Sequence, residues 1–139
     1  MEGENSDIIL FFGRFHPLIL HVPIGFLTIA FVLEIMSRFP RFKHFKSSVG
    51  FILLLGSLSA VLAAVLGLML ARSGDYSEEL LSFHQWTGIG VACISLLASA
   101  LHWRVKRKPS RALDTTFLTV MWLMVISLAV TGHFGGSLT

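Results

Sequence analysis

Cysteine is almost absent from the chain, which has a single one, Cys93, among 139 residues. One thiol cannot form an internal disulfide, build a cysteine-rich zinc site or carry the Cys-x-x-Cys-His attachment of a c-type haem. Charged residues are also scarce, at 14% of the chain, whereas hydrophobic residues make up 54%. This balance is unusual for a water-facing surface and favours a membrane protein over a soluble domain.

Common catalytic motifs are missing as well. The sequence has no Gly-x-Ser-x-Gly elbow, phosphate-binding loop, His-Glu-x-x-His pair or dinucleotide fingerprint. It therefore lacks the motifs that would indicate a hydrolase or a nucleotide-binding enzyme. The net charge of +3 comes from two short basic blocks between apolar runs, which argues against a nucleic-acid partner. We therefore expect a subunit rather than a stand-alone enzyme.

Four apolar segments fill most of the chain, at residues 17–37, 49–72, 82–103 and 113–132. Each is close to the roughly 20 residues that cross about 30 Å of hydrocarbon as a helix. An acidic stretch precedes the first segment in place of the basic region of a signal peptide, so we expect this segment to be retained. The sequence thus predicts an all-α membrane protein, with residues 1–139 forming one up-down-up-down bundle of four transmembrane helices.

The basic residues predict the orientation of the bundle. Nine of the eleven Lys and Arg residues lie in the first and third connections: Arg38, Arg41, Lys43, Lys46, Arg104, Lys106, Arg107, Lys108 and Arg111. By the positive-inside rule these connections are cytoplasmic. We therefore expect a multi-pass protein of a bacterial inner membrane, with both termini, Arg14 and Arg72 on the periplasmic side.

Four histidines from three segments converge near the predicted outer interface: His16, His21, His84 and His133. Imidazole binds iron, copper and zinc, and ionisable groups at membrane depth are usually functional. His21 lies on a helical face with three small or slim residues, Gly25, Thr28 and Val32. His84 lies on a similar face with Gly88, Val91 and Ser95. His16, about 140° away from His21 if both are helical, stands just before Pro17 at the helix boundary.

This arrangement suits a b-type haem held by axial imidazoles, which needs no cysteine. His21 with His84 is the preferred pair, while His16 and His133 form a second pair or serve as hydrogen-bonding neighbours. The propionates can reach Arg14 or Arg72. A copper or zinc site that uses three or four of the same histidines is the rival chemistry, and a cofactor-free membrane anchor or assembly subunit is the third hypothesis.

The polar residues near the inner interface have plainer interpretations. Glu34, four residues before Arg38, predicts an ion pair between the two side chains. Asp114 is expected to cap the fourth helix, and a helix C-terminus that favours a cation accounts for His102.

Three motifs carry a resemblance to a known domain: Gly-Arg-Phe-His-Pro-Leu-Ile-Leu-His-Val-Pro-Ile-Gly at 13–25, His-Gln-Trp-Thr-Gly at 84–88 and Thr-Gly-His-Phe-Gly-Gly-Ser-Leu-Thr at 131–139. The chain resembles an uncharacterised four-helix bacterial membrane domain found at the N-terminus of planctomycete-type cytochrome c proteins and beside other redox modules. The resemblance implies an outward-facing layer formed by His16, His21, His84 and His133.

The same resemblance bears on the partners of the protein. It implies periplasmic c-type cytochromes or other redox subunits, in addition to the lipid bilayer, and leaves a homo-oligomer open. The longer members of the family continue into a periplasmic cytochrome domain, whereas this sequence stops at Thr139. We therefore expect any c-type haem to be on another chain, or the sequence to be a fragment.

Overall fold

A computed structural model describes the backbone of residues 2–73 and 77–138, and the side chains of residues 7–72 and 77–138. Its α-helices are α1 (Glu2–Gly13), α2 (His16–Ile19), α3 (His21–Ser37), α4 (Lys46–Leu70), α5 (Glu78–Arg107) and α6 (Arg111–Gly136). Short 3-10 helices, Pro40–Phe45 and Ala71–Ser73, precede and follow α4. The described residues contain no β-strand, so the predicted all-α fold class is confirmed.

Four helical stretches are long and apolar enough to cross a membrane: Asp7–Ser37, Pro40–Leu70, Glu78–Arg107 and Arg111–Gly136. The predicted bundle of four transmembrane helices is therefore confirmed, although the helices extend beyond the apolar segments. The fourth begins after Ser110, whose hydroxyl oxygen accepts a hydrogen bond from the Leu113 amide at 3.2 Å. The prediction that Asp114 caps this helix is wrong, because Ser110 occupies the N-cap and Asp114 lies inside the first turn.

The first transmembrane stretch is divided into three helices by its prolines. A proline has no amide hydrogen to donate to the carbonyl four residues earlier. Pro17 therefore gives the carbonyl of Gly13, where α1 ends, no amide donor, and Pro23 does the same to the carbonyl of Ile19, where α2 ends. The sequence-based prediction of one helix from residue 17 thus missed the break at Leu20 as well as the whole of α1.

Helix α1 crosses the C-terminal end of α4 at very short range. A Cβ atom at Gly13 would lie 2.6 Å from the backbone nitrogen of Leu70, a distance that real side chains do not tolerate. Ile9, one turn earlier, lies beside Met69 and Arg72 in a small surface groove. Glycine is therefore required where α1 meets α4.

The tightest packing lies in the inner half of the bundle, the half that carries the basic connections. Its fully buried side chains include Leu27, Leu53, Phe117, Met121 and Met124. Successive helices from α3 to α6 pack against each other. Helices α3 and α6 also meet on this half, where the ring centroids of Phe31 and Trp122 lie 4.7 Å apart.

A network of charged side chains ties the inner ends of α3, α4 and α6 together. Glu34 is fully buried, and its Oε1 accepts hydrogen bonds from Arg38 Nη2 and Lys46 Nζ, both at 2.6 Å. Arg38 also pairs with Asp114 on α6. Burial lowers the pKa of Arg38, but hydrogen bonds to Asp114 and Glu34 outweigh this effect and raise the pKa above its ordinary value. The predicted Glu34–Arg38 ion pair is confirmed.

Candidate cofactor cavity

The outer half of the bundle encloses a cavity of about 460 Å³ between α2, α3, α4, α5 and α6. This volume falls within the range of sites that bind ligands of drug or cofactor size. Its walls are mainly leucine, isoleucine, alanine and glycine. Five lining residues have polar side chains: His16, His21, His84, Gln85 and Thr131. An apolar chamber with a few polar groups is the usual form of a cofactor site.

His16 reaches from the start of α2 across to α4. Its Nδ1 lies 2.8 Å from the carbonyl oxygen of Ala63, and the ring is half-buried. The imidazole rests against Gly67, where a Cβ atom would come within 3.0 Å of Cε1. Because Ala63 and Gly67 are one helical turn apart, α4 offers an acceptor and a notch for the same ring.

His84 makes the corresponding contact between α5 and α6. Its Nδ1 lies 3.1 Å from the carbonyl oxygen of Thr131, and a Cβ atom at Gly135 would come within 2.8 Å of Cε1. Thr131 and Gly135 are again four residues apart. Each histidine is thus anchored on a neighbouring helix, α4 for His16 and α6 for His84, by one carbonyl and one glycine, an arrangement that sequence analysis missed.

The two anchored rings lie close together in the cavity wall, in an edge-to-face arrangement. Their centroids are 6.1 Å apart and their planes make an angle of 77°. Each Nδ1 donates to a carbonyl, so each Nε2 is left as the nitrogen that carries a lone pair. Within the described residues, neither Nε2 forms a hydrogen bond. Metal-binding histidines typically have this arrangement, in which a backbone carbonyl fixes the ring and its tautomer.

The separation of the rings matches a metal ion held between them. Metal–nitrogen bonds of about 2.0–2.1 Å on opposite sides of one ion place the two imidazole centres roughly 6 Å apart. The distance between the rings of His16 and His84 is therefore compatible with two ligands of one metal ion. The described residues contain no group of three or more His, Cys, Asp or Glu side chains that could hold a metal, so they do not assemble the ligand set of a copper or zinc site.

His21 lies at the rim of the cavity instead of opposite His84. Its ring is exposed, and its Nδ1 bonds to the Pro17 carbonyl at 2.9 Å, within the same segment. Thr28 and Val32, expected to line a groove with His21, are also exposed. The expected inward facing of His21 is wrong, because the side of α3 that carries it is exposed, whereas the buried side carries Pro23, Leu27, Ala30 and Glu34.

The remaining predicted site residues lie outside the cavity. His133 is exposed, although its neighbours Gly132 and Gly135 line the chamber. Arg14 is also exposed, and Arg72 lines the separate groove beside Ile9. The structure thus brings together His16 and His84 from the predicted layer, with His21 at the edge.

Comparison with known proteins assigns the chain to a family. Residues 14–139 match the family model described as "Predicted membrane protein (DUF2231)". Neither the curated proteins nor the solved structures include a match to the chain. The matched region takes in α2 to α6 and hence every residue of the cavity wall. The expected membership in an uncharacterised membrane domain is confirmed, and the chain belongs to this family of membrane proteins.

Proposed function

We propose that this protein is a membrane electron-transfer subunit that holds one b-type haem between His16 and His84. The observation that carries the proposal is the pair of carbonyl-anchored imidazoles, 6.1 Å apart, in an apolar cavity of about 460 Å³. A haem iron takes two axial ligands from the protein, and b-type haem needs no thioether bond to cysteine. The bound haem would supply one-electron redox chemistry.

The protein's own contribution is to position the ligands and exclude water. The Ala63 and Thr131 carbonyls hold the two rings in the tautomer that leaves Nε2 free to bind iron. The apolar walls would surround a flat macrocycle and would keep its environment at low dielectric. Since Arg14 and Arg72 lie outside the cavity, Gln85 in the cavity wall is better placed than these two arginines to meet polar groups of the haem.

The distribution of charge supports an outward-facing site. The nine basic residues of the first and third connections lie at the opposite end of the bundle from the cavity. By the positive-inside rule, the cavity would lie in the periplasmic half of a bacterial inner membrane. A periplasmic c-type cytochrome or another redox subunit is then the electron-transfer partner that the family resemblance implies.

A visible absorption spectrum of the detergent-purified protein tests this proposal. We expect a Soret band that is lost in His16→Ala and in His84→Ala, because each variant removes one axial ligand. His133→Ala is the matched control, since this exposed histidine lies outside the cavity and its loss should leave the spectrum unchanged.

The same preparation separates the rival functions. A folded, colourless protein after expression with ample haem would refute the haem site and favour a cofactor-free anchor. Stoichiometric copper or zinc in elemental analysis, without porphyrin, would favour the metal site instead.

A further inference from the structure

The cavity has a side opening between α3 and α6. Six of the residues that line the cavity are also exposed. Five of these belong to α2, α3 or α6: Pro17, His21, Ile24, Gly132 and Gly136. Helices α3 and α6 meet in the inner half, through Phe31–Trp122 and Arg38–Asp114. In the outer half, the cavity lies between them.

This opening lies at the depth of the hydrocarbon layer. Arg38 on α3 and Asp114 on α6 are paired and mark one level near the inner interface. Ile24 and Leu128 are each fourteen residues from that level, or roughly 21 Å along a helix. The hydrocarbon core is about 30 Å thick, so both residues lie within it. A ligand that enters between α3 and α6 therefore comes from the lipid.

We infer that a lipid-soluble quinol enters through this opening and is the electron donor, an inference that rests on the proposed haem site. The apolar wall at Ile24 and Leu128 suits a quinol ring and its tail. Nδ1 of His21 is bonded to the Pro17 carbonyl, so its Nε2 is the nitrogen that can accept a hydrogen bond from a quinol hydroxyl.

The proposed oxidation of quinol needs no reactant other than the haem and the c-type cytochrome already named. One quinol releases two electrons and two protons and becomes a quinone. The haem that His16 and His84 would hold would accept these electrons one at a time and would pass each to a c-type cytochrome on the outer side. Both hydroxyl protons leave to outer-side water, the first from the hydroxyl that His21 holds.

Two glycines offer a matched pair of variants. A Cβ atom at Gly132, in the opening, would meet no other atom within 4 Å, and the same holds for Gly90 on α5, outside the cavity lining. Gly132→Phe should fill the opening without disturbing packing, whereas Gly90→Phe adds the same side chain facing away from the cavity.

The test measures reduction of the ferric holoprotein by a short-tailed quinol under anaerobic conditions. We expect rapid reduction of the wild type and of Gly90→Phe, and none of Gly132→Phe, while dithionite reduces all three to the same spectrum. His21→Ala should slow reduction by quinol about fivefold, as expected for one lost hydrogen bond. Equal rates in Gly132→Phe and Gly90→Phe would overturn the inference.

Equilibrium binding gives a readout that does not depend on electron transfer. Quenching of tryptophan fluorescence by a short-tailed benzoquinone should saturate in the wild type and in Gly90→Phe, but not in Gly132→Phe. A haem-loaded protein that a reduced c-type cytochrome can reduce, but that neither binds the quinone nor reacts with the quinol, would refute the quinol site and leave the haem site intact. A colourless protein would refute both.

Discussion

Replacing Glu34 by glutamine should destabilise the bundle far more than replacing Asp114 by asparagine, although both carboxylates pair with Arg38. Glu34 is fully buried and its Oε1 accepts hydrogen bonds from Arg38 and Lys46. Its Oε2 is buried and has no hydrogen-bond partner among the described residues. Glutamine would remove the negative charge, and its NH2 group, in the place of Oε2, would be buried without an acceptor among the described residues.

The expected magnitude follows from the exposure of the partners. Removing one member of a buried ion pair costs about 3–5 kcal/mol when the remaining charge stays buried. The side chains of Arg38 and Lys46 are 33% and 41% exposed, so both cations can turn partly toward water. We therefore expect Glu34→Gln to lower the free energy of unfolding by about 2–3 kcal/mol, below the cost of a fully buried pair.

Asp114→Asn provides the matched control. The Asp114 side chain is 34% exposed, and pairs of this kind contribute about 0–1 kcal/mol to stability. Unfolding in detergent micelles by a denaturing detergent, followed by circular dichroism, compares the three proteins directly. A loss in Glu34→Gln no larger than that in Asp114→Asn would show that burial of the carboxylate does not determine the strength of this network.

Two glycine variants extend the predictions to the outer half. Gly135→Ala should displace His84, because the new Cβ would lie 2.8 Å from the ring, and should lower the haem content or shift the Soret band; an unaltered spectrum would contradict the anchoring role of Gly135. Gly13→Ala should destabilise the protein by about 1–3 kcal/mol, as overpacking does elsewhere, because its Cβ would press on the backbone of Leu70. Thermal unfolding in detergent measures this loss, and Gly90→Ala, whose Cβ enters open space, should be as stable as the wild type.

Hydropathy and charge were enough to predict the bundle. A helix satisfies its own backbone groups in lipid, and polar side chains are costly there, so each transmembrane helix contains a long apolar run. The ends of the helices were harder to predict, since polar residues such as Glu78 and Arg107 continue a helix outside the hydrocarbon. The division of the first transmembrane stretch into three helices could have been inferred from Pro17 and Pro23. Each proline removes the amide donor for the carbonyl four residues earlier.

The level of the site along the bundle was predictable from the sequence, but the choice of histidines that face inward was not. Alternating chain direction brings histidines of different helices to one level, and the structure does bring His16 and His84 together. Which rings face inward depends on the break at Leu20 and on contacts with Ala63 and Thr131, which are 47 residues away in the chain from His16 and His84 respectively. The periodicity of residues along one helix cannot predict such contacts between helices.

The two halves of the bundle use their buried groups differently, and this separates stability from ligand binding. In the inner half, side chains such as Leu27, Phe117 and Met121 fill the space between helices completely. In the outer half, glycine and alanine leave a cavity in which His16 and His84 are held by backbone carbonyls. Substitutions more than about 10 Å apart that share no partner act almost independently. Inner variants should therefore change unfolding without altering the spectrum of a bound cofactor, and cavity variants should do the reverse.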